Sequence, residues 1–364
     1  MNHRLEQLTK WMQQENIDLT FITSSENVFY FTGFLSEPHE RLLALAVFAN
    51  HDPILICPAL DALDARQAGW EYELLTHSDI ENPWEKMKKT FHSLNISLNR
   101  VAVEKEHMNV ARFEQLQESF GEITLVAAEE KLRQLRMVKD EKELSILRRA
   151  CELADYAISV GVSEIAEGKT ELDVLAAIEY EMKKKGINEM SFATMVLTGA
   201  NAALPHGTPG MTKMKKGDLV LFDLGVVVDG YCSDITRTVA FGDITEEQSK
   251  IYHTVLKGQL AALEASKPGA TAMEVDLAAR NVIREAGYGD YFPHRLGHGL
   301  GISIHEYPSL TETNPLIIQE GMVYTIEPGI YVPNVAGVRI EDDVYVTKNG
   351  VEILTKYPKE LQII

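Results

Sequence analysis

The chain has few cysteines and a shortage of positive charge, and both narrow what it can be. Its three cysteines, Cys57, Cys151 and Cys232, are widely spaced and form no C-x-x-C pattern. A disulfide framework and a thiolate metal site are thereby disfavoured, and a reducing compartment, the cytoplasm, is the expected location. Lysine and arginine number 35 against 54 aspartates and glutamates, a formal net charge of −19. So acidic a chain repels phosphate backbones and anionic lipid, and neither nucleic acid nor membrane is an expected partner. No apolar run reaches the ~18 residues of a transmembrane helix. The opening MNHRLEQLTKWMQQENIDLTF lacks the apolar stretch of a signal peptide. What is plentiful is carboxylate, which suits a protein that collects cations.

At 364 residues the length fits about two domains. Residues 4–14 carry apolar residues at helical spacing, and 18–22 and 28–34 read as strands. LLALAVFAN and PILICP, separated by His51-Asp52, read as adjacent strands. Helical and strand patterns then alternate to about residue 130, which predicts an α/β domain over 1–132. Two long helical patterns follow, about 140–165 and 170–185, the first with an apolar stripe at the 3.6 period. Beyond residue 190 strand-like runs and glycine turns dominate, broken by a second helical pair at 246–266 and 271–286. A helical pair followed by a β-hairpin carrying two acids thus occurs twice within 133–364, the expected second domain, of α+β character.

In DLVLFDLGVVVDGYCSDITRTVAF, β-type runs flank Asp229-Gly230, a strong hairpin signal. Counting outward from that turn places Gly225 opposite Asp234, with Asp223 on the same face. Asp223 and Asp234 become diagonal cross-strand neighbours, and like charges so placed repel unless a cation lies between them. In MVYTIEPGIYVPNVAGVRIEDDVYV, counting outward from Asn334 puts Glu327 opposite Glu341. Between the hairpins lies PHRLGHGLGISIHE, where glycines flank His298 and are expected to allow close backbone approach around an ion. Four carboxylates and an imidazole make a hard donor set whose charge matches two divalent cations. Mn²⁺ is the expected metal, with Co²⁺ or Zn²⁺ as alternatives.

Asp223 with Asp234, the HGLG-x-x-x-H-E run, EPGIY and GVRIEDD together resemble the pita-bread metallopeptidases: Xaa-Pro dipeptidases (prolidases), Xaa-Pro aminopeptidases and methionine aminopeptidases. The first block resembles the creatinase-type N-terminal domain of the first two, which methionine aminopeptidases lack. The resemblance implies that Asp223 holds one metal, that His298 and Glu327 hold the other, and that Asp234 and Glu341 bridge both. It implies hydrolysis of Xaa-Pro bonds by a hydroxide between the metals, with Glu327 as proton shuttle. His206 in LPHG and His305 in IHE match the non-ligand histidines that hold substrate. Arg339, two residues from Glu341, would orient either Asp234 or the substrate's carboxylate. His294 is taken as lining the cleft. The expected partner is a small peptide with proline after the scissile bond, and the expected assembly is a homodimer. Strict dipeptidases of this kind often carry an arginine in the loop after H-E, but residues 306–338 here contain neither Arg nor Lys. Arg295 or Arg339 would substitute in a dipeptidase. In the alternative, an Xaa-Pro aminopeptidase, no substitute is needed. A third reading, a non-catalytic binding protein on this fold, would lack some of the five ligands.

Overall fold

In the computed structural model, which describes residues 3–364, the chain divides between Arg136 and Met137 into two units. The first contains α1 (His3–Glu15), β1 (Leu19–Ile22), α2 (Ser25–Thr32), β2 (Ala44–Phe48), β3 (Ile54–Pro58), α3 (Ala62–Gln67) and β4 (Glu73–His77). α4 (Pro83–Ser93), β5 (Arg100–Val103), α5 (Val110–Phe120) and β6 (Thr124–Ala127) follow, and α6 (Glu129–Met137) ends at the division. One sheet runs β4-β3-β2-β1-β5-β6, with β1, β2 and β3 antiparallel and the outer pairings parallel. β1, β2 and β3 are buried along their whole length, which is why they read as continuous apolar runs rather than alternating ones. Phe21, Phe48, Trp84, Met87 and Phe91 join the sheet to α4 in one core.

One sequence expectation fails in this unit. Residues 28–34 read as a strand, yet Ser25–Thr32 is a helix. The Ser24 side chain accepts the Asn27 N–H, and Gly33, at φ 73°, ends the helix in the left-handed conformation. These two caps outweigh the strand preference of the Val-Phe-Tyr-Phe run between them.

The second unit begins with α7 (Glu141–Ser163), α8 (Glu171–Lys184) and β7 (Met195–Thr198). The first hairpin is β8 (Asp218–Leu224), β9 (Val227–Val228), β10 (Tyr231–Cys232) and β11 (Ile235–Phe241). Then come α9 (Glu246–Ala265), α10 (Ala272–Glu285), β12 (Gly297–Gly299) and β13 (Glu306–Leu310). The second hairpin is β14 (Val323–Ile326), β15 (Gly329–Val332), β16 (Ala336–Arg339) and β17 (Asp342–Thr347), with β18 (Gly350–Ile353) beyond it. Capping boxes open all four long helices, Asp140 with Glu143, Thr170 with Asp173, Thr245 with Gln248 and Thr271 with Glu274.

Each hairpin is a single register interrupted once. Val228 pairs with Tyr231 and, past a gap, Leu224 with Ile235 and Asp223 with Thr236. Val332 pairs with Ala336 and Gly329 with Arg339; past a gap, Ile326 pairs with Asp342. Both agree with counting outward from the turns. Asp229 and Gly230 both have positive φ, 47° and 81°, as a tight two-residue hairpin turn of this hand requires.

Arg237 on β11 joins the two hairpins. It is fully buried, and it donates to Thr236 O at 2.9 Å, to Tyr357 O at 2.7 Å, to Glu341 O, and to Asp342 Oδ1 at 2.7 Å. Gln259 Nε2 at 2.6 Å and the Lys359 ammonium share the same Asp342 carboxylate. Arg237→Leu leaves that carboxylate undercompensated and several carbonyls unpaired. The expected cost is about 3–5 kcal/mol in urea unfolding; a loss under about 1 kcal/mol, ordinary for a surface change, would contradict it.

Candidate active site

The acids predicted to act lie at or beside the hairpin gaps. Asp223 is the penultimate residue of β8, Asp234 stands between β10 and β11, Glu327 between β14 and β15, and Glu341 between β16 and β17. β11 carries the link between hairpins: the Thr236 hydroxyl donates to Glu341 Oε2 at 2.6 Å, and the Glu341 N–H donates to Thr236 O at 3.1 Å. His298 is the centre of β12. Its flanking glycines are required by close strand packing. A Cβ on Gly297 would lie 1.9 Å from Thr325 O, and one on Gly299 2.0 Å from Tyr307 O.

All five residues line one cavity of about 600 Å³, together with His206, His294, Arg295, His305, Tyr331 and Arg339. Donor atoms of Asp234, His298 and Glu341 lie within 4.8 Å of one another. His298 Nδ1 donates to Gly299 O at 3.1 Å. Nε2 is left facing Glu327 Oε1 at 3.3 Å and Asp234 Oδ2 at 3.7 Å.

A cation fits this donor set. Asp223 Oδ1, Asp234 Oδ1 and Glu341 Oε1 are buried carboxylate oxygens with no protein partner, a costly state unless something else binds them. Burial, and then the neighbouring carboxylates, push Asp234 and Glu341 well above the usual carboxylate range, and burial raises Asp223 as well. Glu327 differs. Burial opposes its charge, but with His298 protonated at Nε2 the hydrogen bond and charge of that ring, together with the Arg339 charge, bring it down to about 2. The Thr325 hydroxyl donates to its Oε1 at 3.1 Å.

Around the acids runs a layer of supporting hydrogen bonds. The Asp234 N–H donates to Asp343 Oδ2 at 2.8 Å, and the Cys151 thiol lies 3.3 Å from the same oxygen. Arg339 corrects its sequence reading: it neither faces Asp234 nor stays free for substrate. Its guanidinium binds Asp223, donates to Thr236 Oγ1 at 3.1 Å, and donates to the Tyr331 hydroxyl at 2.7 Å. Its place on β16, beside β8 and β11, dictates this. Tyr331 in turn donates to His294 Nε2 at 2.9 Å, because His294 Nδ1 is committed to Arg295 O at 2.8 Å. His294, expected only to line the cleft, ends a relay that begins at Asp223. No sequence period signals such a chain.

His206 and His305 lie exposed at the cavity rim. The His305 ring meets the His298 ring edge-on at 4.2 Å. Desolvation of the ring where it packs against His298, then the charges of His298 and Arg295, lower His305 to about 4, so it is neutral at pH 7.

Residues 145–348 match the model of metallopeptidase family M24, and residues 4–138 match that of the creatinase/prolidase N-terminal domain. The chain is 54% identical over 362 residues to the Bacillus subtilis (strain 168) protein named "Putative dipeptidase YkvY", with 100% of both chains covered. Among solved structures, the prolidase from Pyrococcus horikoshii OT3 is 36% identical at a TM-score of 0.90, covering 99% of this chain and 100% of that one. The X-Pro aminopeptidase from Thermotoga maritima MSB8 is 32% identical at 0.89, with 99% and 100% covered. The chain belongs to metallopeptidase family M24. It pairs a creatinase-type N-terminal α/β domain with a pita-bread catalytic domain, and the family uses divalent metals. Among the described residues no helix is long and apolar enough to cross a membrane.

Proposed function

We propose that this metallopeptidase hydrolyses the Xaa-Pro bond of dipeptides, with two divalent cations, Mn²⁺ foremost, held by Asp223, Asp234, His298, Glu327 and Glu341. The convergence of these five donors in one cavity, three of them with unpartnered buried oxygens, carries the reading. When bound, the cations supply Lewis-acid polarisation of the scissile carbonyl and activation of water. The chain's own groups do the rest. Glu327 is ionised at neutral pH and takes a proton at a carboxylate oxygen. His206 and His305 donate hydrogen bonds to the oxygen on which charge develops. Arg339 fixes Asp223. Phe192, Ala193, Met195 and Ile304 give the cavity apolar wall for a proline ring.

Arg295 supports the dipeptide reading. Of the two arginines lining the cavity, Arg339 is committed to Asp223, Thr236 and Tyr331, whereas the Arg295 guanidinium makes one long contact, 3.5 Å to Ser309 Oγ. It reaches β13 from three residues before His298, and so brings a cation to a segment that has none of its own. A free C-terminal carboxylate is its natural complement. The comparable likeness to an X-Pro aminopeptidase favours the second reading, release of the first residue from longer peptides. Hydrolysis of Ala-Pro beside Ala-Pro-Ala by Mn²⁺-loaded protein, with Arg295→Gln alongside, separates the two. The expected result is a preference for Ala-Pro and a rise of about ten- to a hundredfold in its KM in the variant, the size of a lost charged hydrogen bond. Ala-Pro amide should be unaffected by the substitution. Equal cleavage of the tripeptide with no effect of Arg295→Gln would establish the aminopeptidase reading instead.

A further inference from the structure

Five consecutive lining residues of the cavity, Pro205 to Pro209, come from one loop, 199–212, which lies between β7 and β8. Within it only a single 3₁₀ turn, Gly199–Ala203, is regular structure. Its tip is a reverse turn in which the Gly207 N–H donates to Leu204 O at 3.0 Å, with Pro205 and His206 at the centre. Loops built this way are ordinarily the least constrained parts of a fold. A histidine that holds substrate needs the opposite.

The two ends of the loop meet on one side chain. Glu171, the first residue of α8, is fully buried. Its Oε1 accepts the Thr198 N–H at 2.8 Å and Asn201 Nδ2 at 3.0 Å, and its Oε2 accepts the Gly210 N–H at 2.8 Å. Asn201 Nδ2 also donates to Thr212 Oγ1 at 2.9 Å, and the Glu171 N–H donates to Thr212 O at 3.1 Å. Each of these donors to the carboxylate is an amide from the loop or its flank, and its charge is further favoured by the start of α8. The loop's first turn is also pressed onto β16. A Cβ on Gly337 would lie 1.7 Å from Ala202 O, so only glycine at 337 admits the 3₁₀ turn there. A buried carboxylate is costly; here its bonds converge on closing the neck of the loop that presents His206.

We propose that Glu171 is a positioning residue that staples the neck of the 199–212 loop and thereby sets His206 at the cavity. The catalytic part of this rests on the peptidase reading above. Glu171→Gln keeps the shape but leaves one acceptor oxygen where there were two. In the metal-loaded protein, amide exchange across 198–212 is expected to rise about tenfold or more, with β8 and β12 unchanged. kcat/KM toward Ala-Pro is expected to fall about tenfold, as for a modest misplacement of a reacting group. In a His206→Ala background the same substitution should cost under about twofold, because the two changes act through one element. Unchanged loop exchange, or an equal loss in both backgrounds, would overturn the proposal. Should Glu171→Gln fail to fold, Asn201→Ala removes one of the three donors and carries the same two measurements. If the wild type does not cleave Ala-Pro at all, the dipeptidase reading fails, while loop exchange still decides whether the staple exists.

Discussion

Asp234→Asn is expected to abolish peptidase activity without unfolding the protein. Asp234 stands at the gap between β10 and β11, buried, with Oδ1 unpartnered and Oδ2 3.7 Å from His298 Nε2. A neutral amide there would remove one charged donor from the proposed metal site and offer an N–H₂ group where the neighbouring groups are acceptors. Losing several kcal/mol of metal-supplied stabilisation, about 4, corresponds to about a thousandfold in kcat/KM. Stability should move the other way. Glu341, Asp223, Asp343 and Glu327 all disfavour charge on Asp234, so a neutral isostere relieves repulsion. The metal-free variant is therefore expected to melt no lower than metal-free wild type. A variant retaining a tenth or more of wild-type activity would remove Asp234 from the metal centre.

Stripping the divalent ions is the second large effect. The cations would bind the folded cavity and not the unfolded chain, because the donors come from segments more than a hundred residues apart in sequence, Asp223 to Glu341. Saturation at about a hundred times Kd contributes about 2.7 kcal/mol. For a domain of this size that is a Tm change of about 5–10 °C. Chelation should lower Tm by that amount and remove activity, and Mn²⁺ should restore both. In Asp234→Asn the Mn²⁺-dependent rise in Tm should shrink or vanish. A wild-type Tm indifferent to chelator, with activity retained, would contradict a metal centre.

Much of this arrangement is written locally in the chain, and the parts that are not share one cause. The hairpin registers follow from Asp229-Gly230 and Asn334, because a period of two leaves no freedom once a turn is fixed. The long helices follow from apolar spacing, and their starts from Thr or Asp three residues before Glu, Asp or Gln. Helix α2 is missed because Ser24 and Gly33 act at its ends, whereas its interior is β-branched and aromatic. Around the site, the acids are legible as two pairs, but which attendant serves which acid is not. Arg339 finds Asp223 across 116 positions, and Asp343 reaches the Asp234 amide across 109. Arg237 meets Asp342 across 105. Such pairings depend on which strands become neighbours, and no spacing within a strand encodes that.

With two divalent ions bound in this cavity, the protein is expected to cleave the Xaa-Pro bond. The initial rate of Ala-Pro hydrolysis, followed as Mn²⁺ is added stepwise to chelator-stripped protein at a concentration well above Kd, tests this most directly. The expected curve rises from zero and saturates at two equivalents per chain. Full activity before any metal is added, saturation at one equivalent, or no hydrolysis at two would contradict the claim.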